Sequence, residues 1–211
     1  GINFFDTANV YGAGRSELLI GKFLRENGEG IMVASKTGRE VYPDRYSREN
    51  LRNSIRDTKE RLGVDSLDLI QLHCVPHEIL QKGAIFQWLR ELQSEGLIQH
   101  FGASVESVEE GLTCLAQDDL LSLQVIFNPF RQKLVNELLP QAAERGVGII
   151  VRLPLASGLL SGKFSAETAF VETDHRHYNQ DGAAFNIGET FAGLPFPKGV
   201  ELADQLKPLV P

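Results

Sequence analysis

Six short apolar runs, each divided from the next by a helix-like stretch, constrain this chain more than any other feature. The runs are Ile2–Phe5, Ile31–Ser35, Leu67–Leu72, His100–Ser104, Leu123–Phe127 and Val147–Leu153. Runs that are apolar almost throughout describe strands buried on both faces, as in a parallel sheet covered by helices. The segments between them repeat apolar residues every three to four positions. Leu51, Ile55, Thr58 and Leu62 follow Ser47, a suitable N-cap, and end at Gly63. Phe86, Leu89 and Leu92 lead to Gly96; Val108, Leu112 and Leu115 follow Ser107; Leu138, Ala142 and Arg145 lead to Gly146. Regular β-α alternation predicts an α/β fold with a parallel sheet.

A doubly wound open sheet and a (β/α)₈ barrel both satisfy that pattern, and the polar residues decide between them. Counting by twos, Ile2, Phe4 and Asp6 share one face, as do Met32, Ala34 and Lys36, and Leu69, Gln71 and His73. Each row is apolar at first and polar or ionisable at its C-terminal end. A barrel interior has this form, with packed layers below and chemistry at the upper rim. With no fixed-period repeat and no low-complexity linker, residues 1–211 are expected to form a single, partial barrel domain. About six of the eight strands are visible. The chain starts at Gly1 inside a strand pattern and ends at Pro211 just past a helix-like run. The expectation is therefore a fragment whose first and last strands lie outside these residues.

Composition narrows the function classes. A net charge of −7 argues against a nucleic-acid surface or an anionic membrane surface. No apolar stretch is long enough to span a bilayer as a helix. Cys74 and Cys114 form no CxxC pair and no disulfide framework, which suggests reduced thiols and a cytoplasmic location. Oligomeric state is not legible.

Gly12–Glu17, GAGRSE, imitates a dinucleotide-binding fingerprint, but Glu17 stands where its third glycine belongs. The stronger constellation is Asp6, Tyr11, Lys36 and His73, three of them at successive strand ends and Tyr11 in the loop after the first. Taken singly, each has an ordinary structural role: a cap, a half-buried aromatic, a paired lysine, a core histidine. Together they make a proton donor. A free phenol, with a pKa near 10, is a poor general acid at neutral pH, and a neighbouring ammonium lowers that value. Asp6 would hold the ammonium in place, and His73 would orient a carbonyl oxygen. The set contains no nucleophile-base pair and no metal cluster; it suits protonation of an oxygen as hydride reaches the carbon from a cofactor.

The residues at this point resemble the aldo-keto reductase superfamily. FFDTANVYG, ASKTG, DLIQLHCVP, HFGAS and LQVIFNPF occur in that family's order and at similar spacing, and RLPLASGLLSGKF and DHRHYNQDG extend the likeness along the chain. The resemblance implies a (β/α)₈ barrel and reversible reduction of a small-molecule aldehyde or ketone with NADPH preferred and NADH possible. It makes Tyr11 the general acid, Lys36 and Asp6 its tuning pair and His73 the residue that orients the carbonyl. It makes Ser104 and Gln124 the side chains that hold the nicotinamide carboxamide. Val105 stands where many members have Asn. Arg152 stands where some members stack a Tyr on the nicotinamide, and its planar guanidinium suits either stacking or a salt bridge. Leu155, Ser157, Leu160 and Lys163 resemble the loop around the pyrophosphate, where small residues admit backbone N–H groups to the phosphates. The loop that recognises the adenosine 2′-phosphate would follow Pro211.

Two other classes stay open: a non-catalytic nicotinamide-nucleotide-binding regulatory module, and a barrel enzyme that forms a Schiff base on Lys36. Residues 173–196 read as a long loop near the barrel mouth, in which Phe185, Phe191 and Phe196 either line a substrate pocket or pack within the loop.

Overall fold

A computed structural model of the chain describes residues 1–209. Its strands are β1 (Phe4–Asp6), β2 (Met32–Thr37), β3 (Leu67–His73), β4 (Ile98–Ser104), β5 (Leu120–Ile126) and β6 (Gly148–Arg152). They form one sheet in the order β1-β2-β3-β4-β5-β6. The registered pairs from β1 to β5 are all parallel. A doubly wound sheet reverses direction from its first strand; strictly sequential order is that of the (β/α)₈ barrel. The fold class is thus the expected one, with six strands of the barrel described. The helices are α1 (Arg15–Asn27), α2 (Arg48–Leu62), α3 (His77–Lys82), α4 (Ala84–Ser94), α5 (Val108–Leu115), α6 (Leu138–Glu144), α7 (His175–Tyr178) and α8 (Phe196–Leu206). Among the described residues, no helix is long and apolar enough to cross a membrane.

The chain packs as two compact units. The first comprises Gly1–Gln124 and Glu137–Ile150; the second comprises Val125–Asn136 and the chain from Val151 onward.

In the first unit α2 follows its sequence signals closely. The Ser47 hydroxyl accepts the Asn50 N–H at 3.1 Å, and Gly63 ends the helix at φ 71°, a left-handed conformation that glycine adopts without strain. Leu51, Ile55, Thr58 and Leu62 are all buried. Helix α1 lies against α2 through Gly21, where a Cβ would come within 2.3 Å of the Arg61 carbonyl oxygen. Beside this contact, Glu17 is fully buried. Its Oε2 meets Arg61 Nε at 2.6 Å and its Oε1 accepts the Ser35 hydroxyl at 2.5 Å. The residue that spoiled the dinucleotide fingerprint is therefore the buried half of an ion pair with the partly exposed Arg61.

Helix α5 is rotated from the expected stripe. Ser107 and Glu110 form a reciprocal capping box, and the buried face is Gly111, Cys114 and Leu115, while Val108 and Leu112 are half-buried. The cause is α6, whose Leu138 packs where a side chain at position 111 would be; a Cβ there would lie 2.7 Å from both Leu138 δ-carbons. Cys114 sits on this buried face, and burial pushes its thiol up to about 12, so it stays protonated.

The second unit has its own aromatic core. Phe164, Phe170 and Phe196 pack with Phe191 on Ala156, Leu159 and Val200. Five ring pairs among the phenylalanines have centroids 4.8 to 5.9 Å apart. Arg176 lies 4.5 Å from the Phe170 ring centroid and is gripped by Asp174, whose carboxyl this hydrogen bonding holds down to about 2. Of the two readings of residues 173–196, Phe191 and Phe196 follow the packing one. Phe185 lies against His175 and Tyr178, with centroids 6.3 Å away in each case.

Candidate active site

Register explains why residues remote in sequence meet. Asp6 pairs with Ala34, Lys36 with Gln71, His73 with Ser104, and Ser104 with Gln124. Side chains alternate along a strand, so Asp6, Lys36, Gln71, His73, Ser104 and Gln124 all project from one face of the sheet. Asp6, His73 and Ser104 are the last residues of their strands, and Lys36 is the last but one.

Lys36 is the anchor. Its side chain is 0% exposed, and a buried ammonium requires partners. Asp6 Oδ2 lies at 2.6 Å and the Thr7 carbonyl at 2.7 Å. The other carboxylate oxygen, Oδ1, accepts one N–H from Gln71 Nε2 at 3.1 Å and one from Gln124 Nε2 at 2.8 Å. Tyr11, 43% exposed, sits in the loop after β1, where its backbone N–H reaches the Ala8 carbonyl at 3.1 Å. Lys36 Nζ is 5.1 Å from the Tyr11 ring centroid. The His73 ring meets the same tyrosine edge to face, 5.9 Å between centroids and 86° between planes. The structure thus brings Asp6, Tyr11, Lys36 and His73 into one cluster.

The residues expected around the nicotinamide nucleotide fall in both units. In the first, Ser104 is buried and its hydroxyl makes no hydrogen bond among the described residues. A buried hydroxyl with no partner fits a polar ligand group such as a carboxamide. Gln124 is buried too, with its amide N–H committed to Asp6. In the second unit Arg152 makes a salt bridge to Glu189 at 3.0 Å, one of the two roles its guanidinium suited. Ser157 donates to the Glu189 carbonyl at 2.9 Å and accepts the Phe191 N–H at 3.1 Å, so its hydroxyl braces the loop. Leu160 packs on the aromatic core, while Leu155 and Lys163 are exposed. Ala156, Ser157 and Gly158 run consecutively at φ 48°, 57° and 99°, a tight turn that two of the three do not favour intrinsically.

Gln71 escaped the sequence reading as a functional residue. The available signal was its place in the inward row of β3, two residues before His73 and between Ile70 and Leu72.

Sequential parallel strands with ionisable side chains collected at their C-terminal ends define a protein of the (β/α)₈-barrel class. Within that class the chain belongs to the aldo/keto reductase family, whose sequence profile matches residues 1–210. It is 29% identical over 185 residues to aldo-keto reductase YhdN of Bacillus subtilis, a match covering 85% of this chain and 56% of that protein. It is also 29% identical over 185 residues to the NADH-specific methylglyoxal reductase of Escherichia coli, covering 79% of this chain and 56% of the relative. The solved structure of a glycerol dehydrogenase from Gluconobacter oxydans superposes with a TM-score of 0.75 at 26% identity, over 99% of this chain and 64% of that one. The chain therefore spans a little over half the length of these curated relatives.

Proposed function

We propose that this chain carries the active site of a nicotinamide-nucleotide-dependent reductase of aldehydes or ketones. The observation that carries the reading is the fully buried Lys36, fixed by Asp6 beneath the ring of an accessible tyrosine. A cation held next to a phenol favours the phenolate and so makes the phenol a better acid. In this reading Tyr11 delivers its hydroxyl proton to the substrate oxygen, and Lys36 stabilises the phenolate left behind. His73, edge-on to Tyr11, donates to the same oxygen and sets the direction of the carbonyl. When bound, the nucleotide supplies the hydride that the carbonyl carbon accepts. Ser104 and Gln124 would hold its carboxamide, and Arg152, Leu155, Ser157, Leu160 and Lys163 would border its pyrophosphate side.

The nucleotide is read as NADPH, with NADH as the alternative. A relative named as NADH-specific keeps NADH open for this chain. The test is the oxidation of each nucleotide by the protein in the presence of simple aldehydes. Carbonyl-dependent oxidation supports the reductase; nucleotide binding with no turnover would favour a regulatory module. Borohydride trapping of a carbonyl compound on Lys36 would favour the Schiff-base enzyme. The bonds from Lys36 to Asp6 and the Thr7 carbonyl argue against that, because imine formation needs a released, neutral amine.

His73→Ala separates orientation of the carbonyl from binding of the nucleotide. Carbonyl kcat/KM is expected to fall about 100-fold, the range for loss of a positioned proton-sharing group, while nucleotide Kd stays within about twofold. Parallel losses in both would mark His73 as structural only.

A further inference from the structure

We propose that Gln71 is a positioning residue for this site, its amide acting with that of Gln124 to hold the Asp6 carboxylate in the orientation that serves Lys36. The inference rests on the reductase reading above. Asp6 ends a strand of only three residues, and its side chain is 32% exposed. Nothing in so short a strand fixes the carboxylate by itself. The two glutamines do, by occupying Oδ1 and leaving Oδ2 to the ammonium.

The chemistry also fixes how each amide faces. An ionised carboxylate only accepts, so both glutamines must turn their NH₂ groups toward Asp6 and their carbonyls away. For Gln124 that leaves a carbonyl for a ligand's N–H. For Gln71, which is 0% exposed, it leaves a buried carbonyl with no hydrogen-bond partner among the described residues. A half-satisfied buried amide is less favourable than a leucine of similar volume in the same place. A residue selected for packing would be apolar here. Gln71 also pairs in register with Lys36 across β2 and β3, so the donor is set on the same rigid pair of strands as the ammonium.

Gln71→Met keeps the volume and removes the donor. The test compares Tyr11 ionisation in the absence of nucleotide, read as tyrosinate absorbance against the same protein carrying Tyr11→Phe. In Gln71→Met the midpoint is expected to rise and kcat to fall about tenfold, the low end for loss of a residue that orients a functional one, with nucleotide Kd unchanged. In an Asp6→Asn background, Gln71→Met is expected to have no further effect on the titration, since Gln71 acts through Asp6. An unchanged midpoint and kcat in the single variant, or a full effect in the Asp6→Asn background, overturns the proposal. If Gln71→Met does not fold, the Gln71 side-chain NH₂ resonances of the intact protein give the answer. They should shift in Asp6→Asn, and constancy overturns the proposal. A protein with no nucleotide-dependent carbonyl reduction would end the reductase reading, while the titration, made without nucleotide, still supports or overturns the role of Gln71.

Discussion

Carbonyl reduction is expected to fall about 10³-fold in Tyr11→Phe, within the range for loss of a general acid, and by a similar factor in Lys36→Met. The two variants fail for different reasons. Tyr11→Phe removes the proton that the substrate oxygen needs. Lys36→Met leaves the phenol in place and removes the cation beneath it, so the donor remains but is too weak an acid. Nucleotide affinity should hardly change in either, because neither residue is among those read as holding the nucleotide. The pH-rate profile separates them: Lys36→Met should regain activity toward high pH in the oxidative direction, where a deprotonated phenol is required, and Tyr11→Phe should not. Near-normal turnover in Lys36→Met would remove the proposed proton donor altogether.

The largest loss of stability is expected at Glu17. Arg61 keeps about a quarter of its side chain exposed, at 25%, so Glu17→Ala strands it only in part and should cost about 2 kcal/mol. For a chain of this length that lowers the melting temperature by about 4–8 °C. Arg61 would lose its fully buried partner, and the Ser35 hydroxyl its acceptor. The double variant Glu17→Leu/Arg61→Leu should recover much of the loss, since exchanging both charges for apolar groups leaves neither stranded. Thermal denaturation of the single and double variants decides the matter; equal instability in both would mean that Glu17 acts by shape and not by charge.

Strands β2 to β5 were legible because a strand buried over most of both faces leaves a contiguous apolar run, whereas β1 and β6 have the same run but are largely exposed or half-buried here; the acid, lysine and histidine that close the runs are conspicuous against them. The N-caps of α2 and α5 and the C-terminal glycine of α2 were legible because they use local chemistry. What sequence did not show is set by partners distant along the chain. Val108 and Leu112 have the right period for the buried stripe of α5, and only Leu138 against Gly111 turns the helix away from them. Helix α1 was obscured because Glu17 and Gly21 on its inner face suit only this contact with Arg61 and the end of α2. Gln71 reads as a polar interruption until Asp6 is seen beside it. The aromatic residues after Ser157 were ambiguous for the same reason: a phenylalanine that packs a loop and one that lines a pocket have the same sequence signature.

The three side chains that grip Asp6 belong to β2, β3 and β5, and the farthest, Gln124, is 118 residues away along the chain. Contacts of such sequence separation form late, since a long loop must close before any of its binding energy is gained. In the reductase reading, the site is completed only as the chain assembles. A nascent polypeptide that has laid down β1, β2 and β3 already possesses the acid, the lysine, the tyrosine and the histidine. It still lacks the last clasp on the carboxylate until the fifth strand docks. Refolding followed by return of activity should therefore lag behind refolding followed by the helical signal.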